Sequence, residues 1–197
     1  MNIVHTVRAV EKLFESLDKD IRRLQLHTGI HCIENCIHCC TTPRIEATSV
    51  EFLPLAYHLY KTGQINEVLN KMEQVNNEYT CPLLNLLSFD GKTIGCNHYI
   101  HRGLICRLFS YNYLTNKHGV RKINACKKIQ LNQPDQIEKA NYLLLTKVIC
   151  PKASDYYSKL RFISYNEAHH LYPIGKAIRI AIDMVVIYFH YKGKKVM

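Results

Sequence analysis

Between residues 3 and 26 the apolar side chains fall at Val4, Val7, Val10, Phe14, Leu17, Ile21 and Leu24, in steps of three and four with charges between them. This spacing collects them on one face of an amphipathic α-helix. Gly29 is placed to end that helix, which leaves the next stretch in a loop. Further on, Thr48 and Glu51 make the T-x-x-E spacing of a capping box, and that capping role accounts for Glu51. Pro54 lies too deep for a helix begun at Thr48, so the helix is expected to start nearer Leu53 or to bend there. After a glycine break at Gly63, the residues Ile65, Val68, Leu69 and Met72 again share one helical face. The pattern then changes: "LLSFDGKTIGC" sets Asp90-Gly91 between short apolar runs, the usual signal of a small β-hairpin. Helical spacing returns over residues 135–149 and 174–191. The last stripe is Ile174, Ala177, Ile178, Ala181, Ile182, Val185, Val186 and Phe189, and its β-branched content leaves a strand as the alternative.

These elements predict a mostly α fold: a single compact helical domain over 1–197, with a small β-hairpin and metal-binding loops. Within it, 1–28 forms an N-terminal helix, 30–127 a cysteine-cluster region and 135–191 a C-terminal helical part. There is no internal repeat, low-complexity tract or Pro/Gly/Ser-rich linker. At 197 residues the chain can bury a proper core, so metal is not needed merely to hold a small domain together.

Composition changes the picture at one point, the nine cysteines. The start, "MNIVHTVRAVEKLFESL", interrupts its apolar residues with charges and so does not read as a secretory signal. A cytoplasmic location is expected, where thiols stay reduced, and the odd count also argues against a disulfide framework. Metal binding becomes the expected use. The longest apolar run, "MVVIYF", is far short of the ~20 residues that span a bilayer, so no membrane segment is expected. The formal charge of +10 raises nucleic acid as a partner, but the cations are spread along the chain and thiolate ligation would absorb part of the excess.

The cysteines group as Cys32, Cys36, Cys39 and Cys40, then Cys81, Cys96 and Cys106, then Cys126 and Cys150. Soft thiolates select zinc, iron–sulfur clusters or cuprous copper, with about four ligands per site. The first group is expected to give three ligands to one centre, closed by Cys81, Cys96 or Cys106. Of the adjacent pair Cys39 and Cys40, one is expected to ligate while the other faces the core or a second site. His31, His38, His98 and His101 stand near cysteines and are candidates to replace a thiolate. Cys32-x3-Cys36-x2-Cys39 is also the spacing of radical S-adenosylmethionine enzymes, but the repeated strand and helix units of their barrel are missing here. No Walker loop, GxGxxG or GxSxG is present.

Beyond the first cluster, Cys81, Pro82 and Leu84 form a C-P-x-L piece, and Cys96, Tyr99, Arg102, Cys106, Arg107 and Phe109 follow in a fixed register. With "CIENCIHCC" these residues resemble the YkgJ-type cysteine-cluster family, zinc- or iron-chelating proteins with a CxxCxxCC signature. The chain departs from the pattern in its longer first gap and in Gly103, where proline is usual. The resemblance covers roughly residues 30–127 and implies a metal centre built from Cys32, Cys36, Cys39, Cys40, Cys81, Cys96, Cys106 and Cys126. Arg102 and Arg107 would stabilise the concentrated thiolate charge from behind the ligands. Tyr99 and Phe109 read as core packing. The implied cofactor is an iron–sulfur cluster, 4Fe-4S favoured, or Zn2+. Related flagellin lysine N-methylases of the wider family carry such a cluster. An S-adenosylmethionine-dependent protein methyltransferase is therefore the alternative function, and a basic nucleic-acid-binding metalloprotein the third.

Overall fold

The computed structural model describes residues 1–33, 36–42, 45–74, 81–85, 95–96, 98–146 and 150–193. The fold is mostly α, as the spacing predicts. Helix α1 (Ile3–Thr28) runs through the centre. Asn2 caps it by accepting a bond from His5 N, and Gly29, in the left-handed region at φ 79°, ends it. Its predicted apolar face is the buried one from Val7 to Leu24; Val4 is only partly buried, and Ile3, Thr6, Leu13 and Thr28 are buried in addition.

Around α1 pack α3 (Leu53–Thr62), α7 (Pro134–Leu145) and α8 (Ala153–Ile163), while α9 (Ile174–Gly193) lies on α3. The stripe on α9 buries Ile174, Ala177, Ile178, Ala181, Ile182 and Val185, so the helical reading wins over the strand; Val186 is exposed. The start of α3 resolves the tension at Pro54. A single 3-10 turn, Val50–Phe52, precedes the helix, and Pro54 falls in the first helical turn, where its missing N–H costs nothing. Helix α4 (Ile65–Gln74) follows the Gly63 break.

The remaining elements are short. Helix α2 (His38–Thr41) is a single turn. Strand β1 (Glu46–Ala47) pairs antiparallel with β6 (Tyr172–Pro173), tying the entry of α3 to that of α9. Strands β2 (Leu84–Asn85) and β3 (Gly95–Cys96) pair as the expected hairpin would require; Asp90 and Gly91 lie outside the described residues. Helix α5 (Leu104–Leu108) leads to a second hairpin, β4 (Asn112–Thr115) with β5 (Arg121–Asn124), and then to α6 (Lys127–Asn132). The β4–β5 hairpin and α8 were not expected from the sequence. One cluster of buried apolar residues draws on α1, α3, α5, α7, α8 and α9. No helix among the described residues is long and apolar enough to cross a membrane.

Gly103 illustrates how tightly the α5 entry is built. It takes the N-cap position of α5 with φ −65°, a value proline would accept. A Cβ there would lie 2.7 Å from Phe52 Cε1 and 2.9 Å from a Glu51 carboxylate oxygen, so the space is already filled. Gly103→Ala is therefore expected to lower stability by about 1–3 kcal/mol, the usual cost of overpacking, measurable by denaturant unfolding. An unchanged midpoint would show that the Phe52 ring yields freely.

Candidate metal centre

The segments that carry Cys32, Cys106 and Cys126 are fixed by hydrogen bonds from their backbone to side chains elsewhere in the chain. Gln133 clamps His31, its Oε1 accepting from His31 N at 3.0 Å and its Nε2 donating to His31 O at 2.7 Å. One residue on, Cys32 N donates to the Tyr111 hydroxyl at 2.8 Å, and Gln25 Nε2 donates to the same oxygen. Cys39 and Cys40 sit on the single turn α2 and not in a loop, which is a correction to the sequence reading. Cys96 is held in β3 opposite Leu84, three residues after buried Cys81. Cys106 lies in α5, and Cys126 N donates to Ser110 Oγ at 3.0 Å as the chain enters α6. Ser110 takes a left-handed backbone at φ 71° to make that connection.

The consequence is a convergence. Cys32, Cys36, Cys39, Cys40, Cys81, Cys96, Cys106 and Cys126 all line one cavity of about 90 Å³, and Cys150 does not. All nine cysteines are free thiols. Cys39 and Cys40 both line the cavity, their Sγ atoms 3.9 Å apart, and Cys40 also packs against the core. Among the described residues no three His, Cys, Asp or Glu side chains stand together as a ready metal-ligand group, so the thiols ring the cavity instead of meeting at a point.

Charging the ring to thiolates is electrostatically costly, and the thiols stay protonated instead. Burial pushes the Cys32 thiol up, the neighbouring thiols of Cys36, Cys39 and Cys126 add to the rise, and Arg102 opposes it. Hydrogen bonding to Cys40, followed by burial, pushes Cys39 well up. At Cys40 the hydrogen bond with Cys39 lowers the value, but the bond with Cys81 and burial outweigh it, and the thiol is pushed up to about 12. Burial also raises Cys96, against the His98 backbone N–H and Arg102, and drives Cys106 well up with Glu51 and the other thiols adding to it. Thiols are soft donors, and a thiophilic metal that binds them displaces their protons.

Arg102 and Arg107, paired in the sequence argument, part company in space. Arg102 lines the cavity, stacks 3.8 Å from the Tyr99 ring centroid, and keeps a buried Nε without a hydrogen-bond partner among the described residues. A buried donor without a partner is the exception in folded chains, and this one belongs to a side chain that lines the thiol cavity. Arg107 lies outside the cavity lining. It pairs with Asp18 of α1, covers the Phe14 ring, and donates to the carbonyls of Arg102 and Ile100. Arg107 thus fixes the backbone that carries Arg102.

Of the four candidate histidines only His38 lines the cavity. His98 and His101 gather instead with His58, whose ring stacks on His101 at 4.1 Å between centroids. Tyr99 is no core residue: it is largely exposed and forms part of the cavity wall, which Phe109 also lines. Glu51 does more than cap. Its Oε1 accepts from Thr48 N at 2.8 Å, as the T-x-x-E spacing predicts, while its Oε2 accepts from Ile105 N at 2.7 Å. It therefore bolts the helix carrying Cys106 to the start of α3. The sequence reading missed Tyr111, Ser110 and Gln133 altogether; their partners lie 79, 16 and 102 positions away, and no local pattern signals them.

No curated protein and no solved structure matches this chain. A family model does match: CxxCxxCC, described as "Putative zinc- or iron-chelating domain", aligns with residues 31–145, a span that contains every cysteine of the cavity. With more than half of its 197 residues so matched, the chain belongs to the CxxCxxCC family.

Proposed function

We propose that the cavity holds a cysteine-ligated metal centre, an iron–sulfur cluster in preference to zinc, within a chain that forms one domain. The observation that carries this reading is the convergence of eight of the nine cysteines on one cavity from five separate parts of the chain. Eight thiols exceed the four that a structural zinc takes, and the cavity volume exceeds a bare ion's needs, which favours a multi-atom cluster. Cys32, Cys36, Cys39, Cys40, Cys81, Cys96, Cys106 and Cys126 form the donor set from which the ligands come. Arg102 offsets thiolate charge from the cavity wall, Arg107 and Glu51 position the segments on either side of Cys106, and Tyr99, Phe109 and Phe52 limit water access. When bound, such a cluster supplies one-electron redox capacity or a rigid cross-link between loops.

The test is anaerobic purification of the full chain, followed by iron, zinc and acid-labile sulfide analysis. Iron with stoichiometric sulfide is expected. Zinc without sulfide would overturn the cluster, and a metal-free protein that takes up neither iron nor zinc would overturn the centre itself.

A further inference from the structure

Beside the thiol cavity lies a second, open cleft of about 690 Å³, within the range of small-molecule sites. Tyr99, Arg102 and Tyr111 line both spaces and so form the wall between them. One face of α1 closes the other side. The cleft is charged on both signs: Glu11, Glu15 and Asp18 against Arg22, Arg102 and Arg107. Asp18 and Arg107 satisfy each other. Neither Glu11 nor Glu15 at one end, nor Arg22 nor Arg102 at the other, belongs to an ion pair among the described residues. Among the described residues the Arg102 guanidinium stacks on Tyr99 and acts on the Cys32 and Cys96 thiols through space, and its buried Nε lacks a hydrogen-bond partner.

The two uncommitted ends are set apart by helix geometry. Glu11 and Glu15 are one turn apart and repel each other; burial and then that repulsion raise the Glu11 carboxyl, against the pull of Arg8. At 1.5 Å rise per residue, Arg22 stands about 10 Å along the axis from Glu15. The neutral stretch between the ends is lined by Phe14, Ile21 and Ile100. A polyamine would leave the guanidiniums unmet, and a phosphate would leave the carboxylates unmet. An amino acid is too short to reach both ends, whereas three residues of extended chain span about 10 Å.

We propose that this cleft binds a short, extended zwitterion of the tripeptide class, its ammonium toward Glu11 and Glu15 and its carboxylate toward Arg22 and Arg102. The reading goes beyond the metal centre and does not depend on it. Because Arg102 and Tyr111 are shared, the carboxylate end of the ligand would lie against the wall of the thiol cavity.

Calorimetric titration of the full chain at low ionic strength, with tri-alanine as probe, tests this. Binding is expected for free tri-alanine, and N-acetylation or C-amidation should each weaken it about tenfold, the size of one charge-assisted hydrogen bond. Glu15 and Arg22 are exposed, so Glu15→Gln and Arg22→Gln should fold normally. In Glu15→Gln the effect of acetylation should shrink while that of amidation persists, and Arg22→Gln should show the reverse. Equal affinity for free and blocked peptides, loss of binding without this crossed pattern, or no heat up to 10 mM peptide at a flat baseline would each overturn the proposal. Metal content is assayed on the same sample and the titration repeated after chelation. Unchanged peptide binding by the stripped chain would separate this outcome from that of the metal centre.

Discussion

Cys106→Ser is expected to lose at least two orders of magnitude in metal affinity, whereas Cys150→Ser should keep full metal content. Structural thiolate sites bind with an apparent ~10–16 kcal/mol, so one ligand of four carries about 3 kcal/mol, roughly a hundredfold. Cys106 lines the cavity on a helix held by Glu51 and followed by Arg107. Cys150 is also free and its thiol is also raised by burial, to about 12, but it lies outside the cavity. The pair therefore separates membership of the ring from mere possession of a buried thiol. The measurement is metal per chain after equilibration with a graded chelator, with circular dichroism confirming that both variants retain their helices. Equal metal retention by the two variants would remove Cys106 from the centre.

A second large effect is expected at Glu51, which is fully buried and whose carboxyl is pushed up to about 7, burial outweighing the donors from Ile105 and Thr48. The folded value lies above the unfolded one, so the native state binds more protons in between. Stability from this group is complete below an unfolded value near 4.5 and is lost as pH rises through about 7. A gap of that size corresponds to roughly 3 kcal/mol. Denaturant unfolding of the wild type against Glu51→Gln, from pH 4.5 to pH 8, should show the wild type losing about that much relative to the variant, because glutamine does not titrate. A constant difference across the range would refute the assignment. Glu51→Ala should cost more at any pH, since it strands the buried N–H groups of Thr48 and Ile105 at about 1–3 kcal/mol each. For a chain of this size that is a fall in Tm of about 10 °C.

The long helices were legible because their burial follows one periodicity. The stripe from Val7 to Leu24 and the stripe from Ile174 to Val185 are buried where the spacing places them, and Gly29 and Gly63 end their helices in left-handed conformations only glycine adopts cheaply. Short elements were not legible. The turn that carries Cys39 and Cys40 is four residues long, too short for any periodicity, and β4–β5 and α8 lack strong alternation or stripes. The hairpin expected around Asp90-Gly91 is seen only in its paired ends, Leu84 against Cys96 and Asn85 against Gly95.

At the site, residue types came from the sequence and their grouping from the fold. The eight cysteines singled out from thiol spacing and from the register between Cys96 and Phe109 all line one cavity, and Cys150, whose role the sequence left open, lies outside it. By themselves they could not say that Arg102 faces the thiols while Arg107 turns to Asp18, that His98 and His101 turn to His58, or that Tyr99 forms a wall and not core. These outcomes depend on contacts between residues far apart in the chain, as with Tyr111 holding Cys32 and Gln133 holding His31. Chemistry is a property of side-chain type and is written locally. Which thiols share a cavity, and which charges remain unpaired beside it, is set by packing across the whole core, and only the tertiary structure decides that.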